Sequence, residues 1–222
     1  MTNADTETRS KASRTLLVLG ATGGTGRLIV AQALARGYDV AALVRSREKA
    51  ADLTGVTLIV GDARDEKALR EAIRGRDAVI CSLGTPPSPT REVTLLSTAT
   101  RALVDAMKAE AVSRLVCITG IGAGDSKGRG GFAFDNLIYP FLLKNVYADK
   151  NRQEAIVRDS GLDWVLVRPS ILNDKPGRGA VRALTDLSKF HGGTIARADV
   201  AKFVLDQVRD PTWAHRSPLI TW

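Results

Sequence analysis

Short, nearly continuous apolar runs recur along the chain at residues 16–19, 40–44, 56–60, 78–82, 115–119 and 164–167, dominated by Val, Leu, Ile and Ala. Stretches with helical spacing fill the intervals, beginning with the amphipathic set Leu28, Ile29, Ala31, Ala33 and Leu34. Strands without polar alternation fit a sheet in which neither face meets water, and strands separated by helices must run parallel. Right-handed crossovers then give an α/β, doubly wound parallel sheet with helices on both faces and a switch point beside the first strand. Ligands of such sheets bind at the strand C-terminal ends, here residues 20–26, 45–47, 61–63, 82–87, 119–131 and 168–179. The last two are long and rich in glycine, as expected of substrate lids.

The first of these ends carries the most chemistry. Leu16 to Leu19 run into Gly20-Ala21-Thr22-Gly23-Gly24-Thr25-Gly26, which opens directly into the first helix. Glycine admits left-handed dihedrals and lets phosphate oxygens approach backbone N–H groups, while the helix dipole favours their negative charge. The spacing is G-x-x-G-x-x-G and not the common G-x-G-x-x-G, but strand, turn, helix and second strand follow in the order that dinucleotide binding requires. Gly20, Thr22, Gly23, Gly24, Thr25 and Gly26 are therefore candidate cofactor contacts.

The second strand end selects the nucleotide. An acidic residue there would bind an adenosine ribose, whereas this chain has Arg45-Ser46-Arg47. Arg45 and Arg47 suit a 2′-phosphate, so NADP(H) is expected over NAD(H). In Gly61-Asp62-Ala63 the carboxylate either accepts from the adenine amino group or caps the following helix. In Leu83-Gly84-Thr85, Gly84 lets the backbone pass close to the ribose and nicotinamide.

Composition narrows the setting. With 222 residues and 44% hydrophobic content, one domain over residues 14–222 is expected, after a disordered tail at 1–13 that lacks apolar periodicity. The net charge of +8 is scattered and accompanies no nucleic-acid motif, so no nucleic-acid partner is expected. Cys81 and Cys117 read as core thiols, and His191 and His215 lack metal-ligand spacing. With neither a long apolar run nor a secretory leader, the expectation is a cytoplasmic monomer or homodimer without membrane partners. Residues 132–147 are rich in large apolar side chains around Pro140 and Lys144. They read as a helix packed on the sheet, with a substrate wall or a subunit contact as alternatives. Ala198-Asp199-Val200-Ala201 reads as a helix start.

The glycine turn, Val44-Arg45, Gly61-Asp62, Leu83-Gly84-Thr85, and Ser160-Gly161-Leu162-Asp163-Trp164 followed by Arg168-Pro169 resemble the atypical short-chain dehydrogenase/reductase superfamily. Within it the chain is similar to the NmrA-like branch, which includes biliverdin-IXβ and flavin reductases. The resemblance implies a Rossmann fold, an NADPH-dependent hydride transfer to a small conjugated acceptor such as a flavin, quinone or bilin, or else a non-catalytic NADP(H) sensor or an epimerase/dehydratase. In the superfamily a Tyr and a Lys four residues apart hold the nicotinamide ribose and supply a proton, the lysine lowering the tyrosine pKa. Here Lys150 takes the lysine position, Val146 stands four before it and Tyr147 three before. The resemblance thus implies Lys150 as ribose anchor at the start of a helix over 149–160, Thr119 as carboxamide or substrate contact, and Tyr147 as optional donor. Arg168-Pro169 reads as fixing the chain's exit from its strand.

Overall fold

The computed structural model describes residues 15–222, so the tail expected at 1–13 lies outside the described residues. Strand β1 (Thr15–Leu19) leads through the glycine turn to α1 (Gly24–Ala35) and β2 (Asp39–Val44). Then follow β3 (Thr57–Val60), α2 (Glu66–Ile73), β4 (Ala78–Cys81), α3 (Leu95–Ala109) and β5 (Arg114–Ile118). A π-helical turn at Phe134–Leu143 runs into α4 (Lys144–Arg158) and β6 (Asp163–Pro169). The chain closes with β7 (Ile171–Asn173), β8 (Arg182–Leu184), β9 (Thr194–Ala196), α5 (Arg197–Asp206) and β10 (Leu219–Thr221).

Eight strands form one sheet in the order β3-β2-β1-β4-β5-β6-β10-β8, parallel except at the β10–β8 edge; β7 and β9 pair separately. The six apolar runs occupy the first six positions, and the order reverses between β1 and β4, as the doubly wound reading required. In β1 the side-chain alternation divides two cores. Leu16 and Val18 pack with Ile29, Val30, Val200 and Val204 of α1 and α5, whereas Leu17 and Leu19 pack with Leu69, Leu103 and Val157 of α2, α3 and α4. Burying residues on both faces explains why these strands carry no polar alternation.

Two expectations need correction. The capping role considered for Asp62 belongs to Asp65, whose carboxylate accepts from the Lys67 and Ala68 N–H groups at the start of α2. The helix expected at 149–160 begins at Lys144, and the segment before it packs Phe134, Tyr139 and Leu143 inward with Leu184 and Leu219 of the sheet while leaving Phe132, Leu137 and Phe141 exposed. Pro140 supplies no N–H and its ring crowds the preceding turn, which fits the wider helical winding there. Continuing the helix back to Lys144 places the fully buried Asp149 against the N-terminus of α3, where it accepts from the Leu96 N–H at 2.7 Å and the Ser97 N–H at 3.3 Å. No side chain of α3 caps that end, so a residue more than 50 positions away does it.

Candidate active site

A cleft of about 520 Å³ opens at the C-terminal ends of β1 to β5. Gly20 to Thr25, without Ala21, form one wall with Leu43, Val44 and Arg45. Gly61 to Arg64 and Ser82 to Pro86 also line it, Arg197 lies beside Gly24, and Leu95, Ile118, Thr119, Lys150 and Leu172 complete the lining. Gly20 has φ +77°, and a methyl group built on it would meet the Ser82 carbonyl oxygen at 2.4 Å. Gly26 lies behind the lining: a methyl there would sit 2.1 Å from the Gly20 carbonyl oxygen, so its absence lets α1 approach the turn. The first turn of α1 carries no acidic side chain and no side-chain cap, which leaves its backbone donors for an anion. Gly26→Ala is expected to weaken NADPH binding at least tenfold and to lower stability by about 1–3 kcal/mol, read by a binding titration and by urea unfolding.

The cationic part of the cleft differs from the expected one. Arg45 lines it, but Arg47 does not; Arg47 precedes a short 3-10 turn at Glu48–Ala50, and Ser46 Oγ accepts from the Lys49 N–H at 3.3 Å. Arg64 and Arg197 line it instead. Arg64 forks onto Asp62 through Nε at 3.0 Å and Nη2 at 2.6 Å, and these bonds push the Asp62 carboxyl down to about 2. Arg197 pairs with Asp174 at 2.7 Å and lays its side chain along Gly24. Glycines without room for a Cβ, free helix-terminal donors and three guanidinium groups fit a nucleotide diphosphate with an additional phosphate.

At the other end, Lys150 Nζ donates to the Thr119 carbonyl oxygen at 2.7 Å, and burial lowers its pKa. The Thr119 hydroxyl donates to Glu154 Oε1 at 2.8 Å. Glu154 is fully buried and receives Arg168 Nε at 2.9 Å and Nη2 at 2.7 Å, while Arg168 is 1% exposed. Burial pushes the Glu154 carboxyl up, but the Arg168 bonds and charge outweigh it and hold the group below its usual value. Arg158 at 2.9 Å and Asp125 complete the network. Arg168 thus does more than guide the chain out of β6.

Tyr147 stands apart from the cleft lining. It is buried, with ring centroids of Tyr139 at 5.1 Å and Phe134 at 6.1 Å, and its hydroxyl lies against Gly120. Burial pushes its pKa up, the reverse of the lowering that a lysine partner implies. The three-residue spacing turns Tyr147 towards this aromatic cluster while Lys150 reaches Thr119.

Residues 20–211 match the NAD(P)H-binding family. The chain belongs to that family. A Bacillus subtilis relative described as an uncharacterized sugar epimerase, YhfK, is 26% identical over 208 residues, covering 91% of each chain. The solved structure of ChuY, an anaerobillin reductase from Escherichia coli O157:H7, superposes with a TM-score of 0.77 at 24% identity, covering 93% of this chain and 96% of the other. A short-chain dehydrogenase/reductase from Veillonella parvula, solved in complex with NADP, gives 0.79 at 16% identity and 95% of both chains.

In this NAD(P)H-binding protein, the site residues that sequence reasoning missed are Arg64, Arg197, Glu154 and Leu172. Arg64 follows Asp62 by two positions and could have been noticed there. Arg197 and Leu172 come from α5 and β7, which no motif ties to the nucleotide. A second hollow of about 720 Å³ between α3 and α4 is lined by charged side chains such as Arg101, Asp105, Arg152 and Asp159, far from the glycine turn in the chain. Cys81 and Cys117 are free, buried and opposite each other on β4 and β5. No group of His, Cys, Asp or Glu suited to a metal occurs among the described residues.

Proposed function

We propose that the protein is an NADPH-dependent reductase of a small conjugated acceptor, a flavin, quinone or bilin. The observation carrying this reading is the cleft itself. It joins a glycine cradle and Arg45, Arg64 and Arg197 at one end to Lys150, Thr119 and the half-exposed Leu172 at the other. The turn and α1 hold the pyrophosphate, Arg45 and Arg64 the 2′-phosphate, and Asp62 is positioned for the adenine amino group. Lys150 has three donors; with one on the Thr119 carbonyl, the others serve the nicotinamide ribose. When bound, the nicotinamide supplies the hydride.

What remains for the protein is to align two flat rings and exclude water from the gap. Thr119 is oriented by Glu154, and Leu172 and Ile118 offer apolar surface beside it. Proton delivery from solvent suits a conjugated acceptor, since Tyr147 is a weak acid in its aromatic setting. An epimerase or dehydratase would need a matched acid and base. Asp62, the cleft's one carboxylate, is held ionised by Arg64 at the nucleotide end. The Lys150–Thr119 contact in place of a lysine–tyrosine arrangement favours a second reading, a cofactor sensor without turnover.

NADPH oxidation with a panel of FMN, riboflavin, small quinones and a bilin, run beside NADPH and NADH titrations, tests the proposal. Turnover of one acceptor supports the reductase; tight NADPH binding with no turnover across the panel moves the assignment to the sensor. Lys150→Met is expected to lower kcat/KM by about ten- to a hundredfold, the worth of a charge-assisted hydrogen bond. An unchanged value would remove Lys150 from the site.

A further inference from the structure

Eight large apolar side chains are exposed among the described residues, and seven of them share one region. Phe132, Leu137, Ile138, Phe141 and Leu142 surround the π-helical turn, and Ile171 with Leu172 lie on β7. The two segments are tied together through residues 192–193. The Gly192 N–H donates to the Arg129 carbonyl at 2.8 Å, and the Ile171 N–H donates to the Gly193 carbonyl at 3.2 Å.

The turn is apolar on both sides. Phe134, Tyr139 and Leu143 face inward onto Ile121, Tyr147 and Leu187. Phe132 is 82%, Phe141 68% and Leu137 56% exposed, so these side chains project from the rim. The charged residues of these segments are basic in the majority. Lys127, whose ammonium lies 5.6 Å from the Tyr139 ring centroid, Arg129 and Lys144 stand with two acids, Asp135 and Asp125, the latter already paired with Arg168. The 171–193 segment adds Lys175, Arg178, Arg182 and Lys189 against Asp174 and Asp186, and Asp174 is already paired with Arg197.

We propose that this face docks the protein on an anionic lipid surface. An apolar helical ridge set between basic residues is the pattern of interfacial binding: rings and branched side chains enter the acyl boundary, and lysines and arginines remain with the headgroups. No described helix is long and apolar enough to cross a membrane. A second copy fits the face less well. A two-fold contact brings each basic rim against its own counterpart, like charge on like charge. Leu172 lines the cofactor cleft, and its strand β7 is tied to the 129–142 segment through residues 192–193, so docking of this face brings the mouth of the cleft near the bilayer surface.

The test is flotation with phosphatidylcholine vesicles, with and without about one third phosphatidylglycerol. The protein is expected to float with the anionic vesicles at low salt and to be released by salt. Phe132→Ser combined with Phe141→Ser should reduce the bound fraction at least tenfold, since each ring contributes roughly a tenfold partition effect. Lys127→Glu with Lys144→Glu should abolish the preference for anionic vesicles. NADPH titration and melting of each variant, expected unchanged, show that the fold and cofactor site persist; this readout is independent of any acceptor. Failure to float with either vesicle, or equal flotation of the phenylalanine variant, would overturn the proposal. A wild-type dimer in solution that the phenylalanine substitutions dissolve, without vesicle binding, would assign the face to a second copy instead.

Discussion

Glu154→Gln is expected to lower the unfolding free energy by about 3–5 kcal/mol, the effect of leaving one partner of a buried ion pair without its counter-charge. Arg168 is 1% exposed and finds in Glu154 a fully buried carboxylate bonded to two of its nitrogens. Asp125 cannot replace it, being 71% exposed at its side chain and well solvated. Two apolar replacements, Arg168→Met with Glu154→Leu, should recover much of the loss, because no charge then stays buried. Arg158 and Asp125 can relax into water. Urea unfolding of the single and double variants checks both statements.

The same pair sets a pH dependence. The folded-state pKa of Glu154 lies below its unfolded value, because the upward push of burial is outweighed by the Arg168 hydrogen bonds and charge. Its contribution is therefore complete above the unfolded pKa and is lost as pH falls through the lowered folded one. Acid unfolding of the wild type should include this step, and Glu154→Gln should lack it.

Arg45→Ala combined with Arg64→Ala is expected to weaken NADPH binding by about a hundred- to a thousandfold and NADH binding little. Each guanidinium can give a charge-assisted hydrogen bond to the 2′-phosphate, worth about 1.5–3 kcal/mol. Arg64 would turn from Asp62 towards the phosphate, or serve both groups. Arg47→Ala is the control: Arg47 lies outside the cleft, and its removal should leave both affinities unaltered. Titrations of both nucleotides against the three proteins decide the point. Equal losses for NADPH and NADH in the double variant would place the arginines on the pyrophosphate and remove the basis for choosing NADPH.

The difference between Arg47 and Arg64 illustrates what local sequence can convey. Both are arginines near a strand end, two residues beyond Arg45 and Asp62 respectively. Arg47 stands just before the short 3-10 turn after β2 and is not among the cleft-lining residues, while the loop after β3 folds Arg64 onto Asp62 within the cleft. Turn geometry of this kind depends on how the following helix packs, and periodicity does not encode it. Tyr147 and Lys150 are a second instance. A spacing of three permits neighbouring directions on one helix, but the aromatic rings of Phe134 and Tyr139 and the Thr119 carbonyl determine which way each side chain goes.

By itself the sequence determined the doubly wound sheet, the site of the nucleotide turn and the cationic character of the second strand end. These follow from contiguous residues: uninterrupted apolar runs, glycines where backbone must approach backbone, and arginine where a carboxylate would otherwise stand. Only the tertiary structure decided that Asp149 caps α3, that Glu154 joins Arg168 to Thr119, that Arg64 and Arg197 enter the cleft, and that residues 132–142 turn an apolar face outward. Each of those depends on groups distant in the chain meeting where burial makes a charge or hydrogen bond count, and on helix and loop packing that no local pattern specifies.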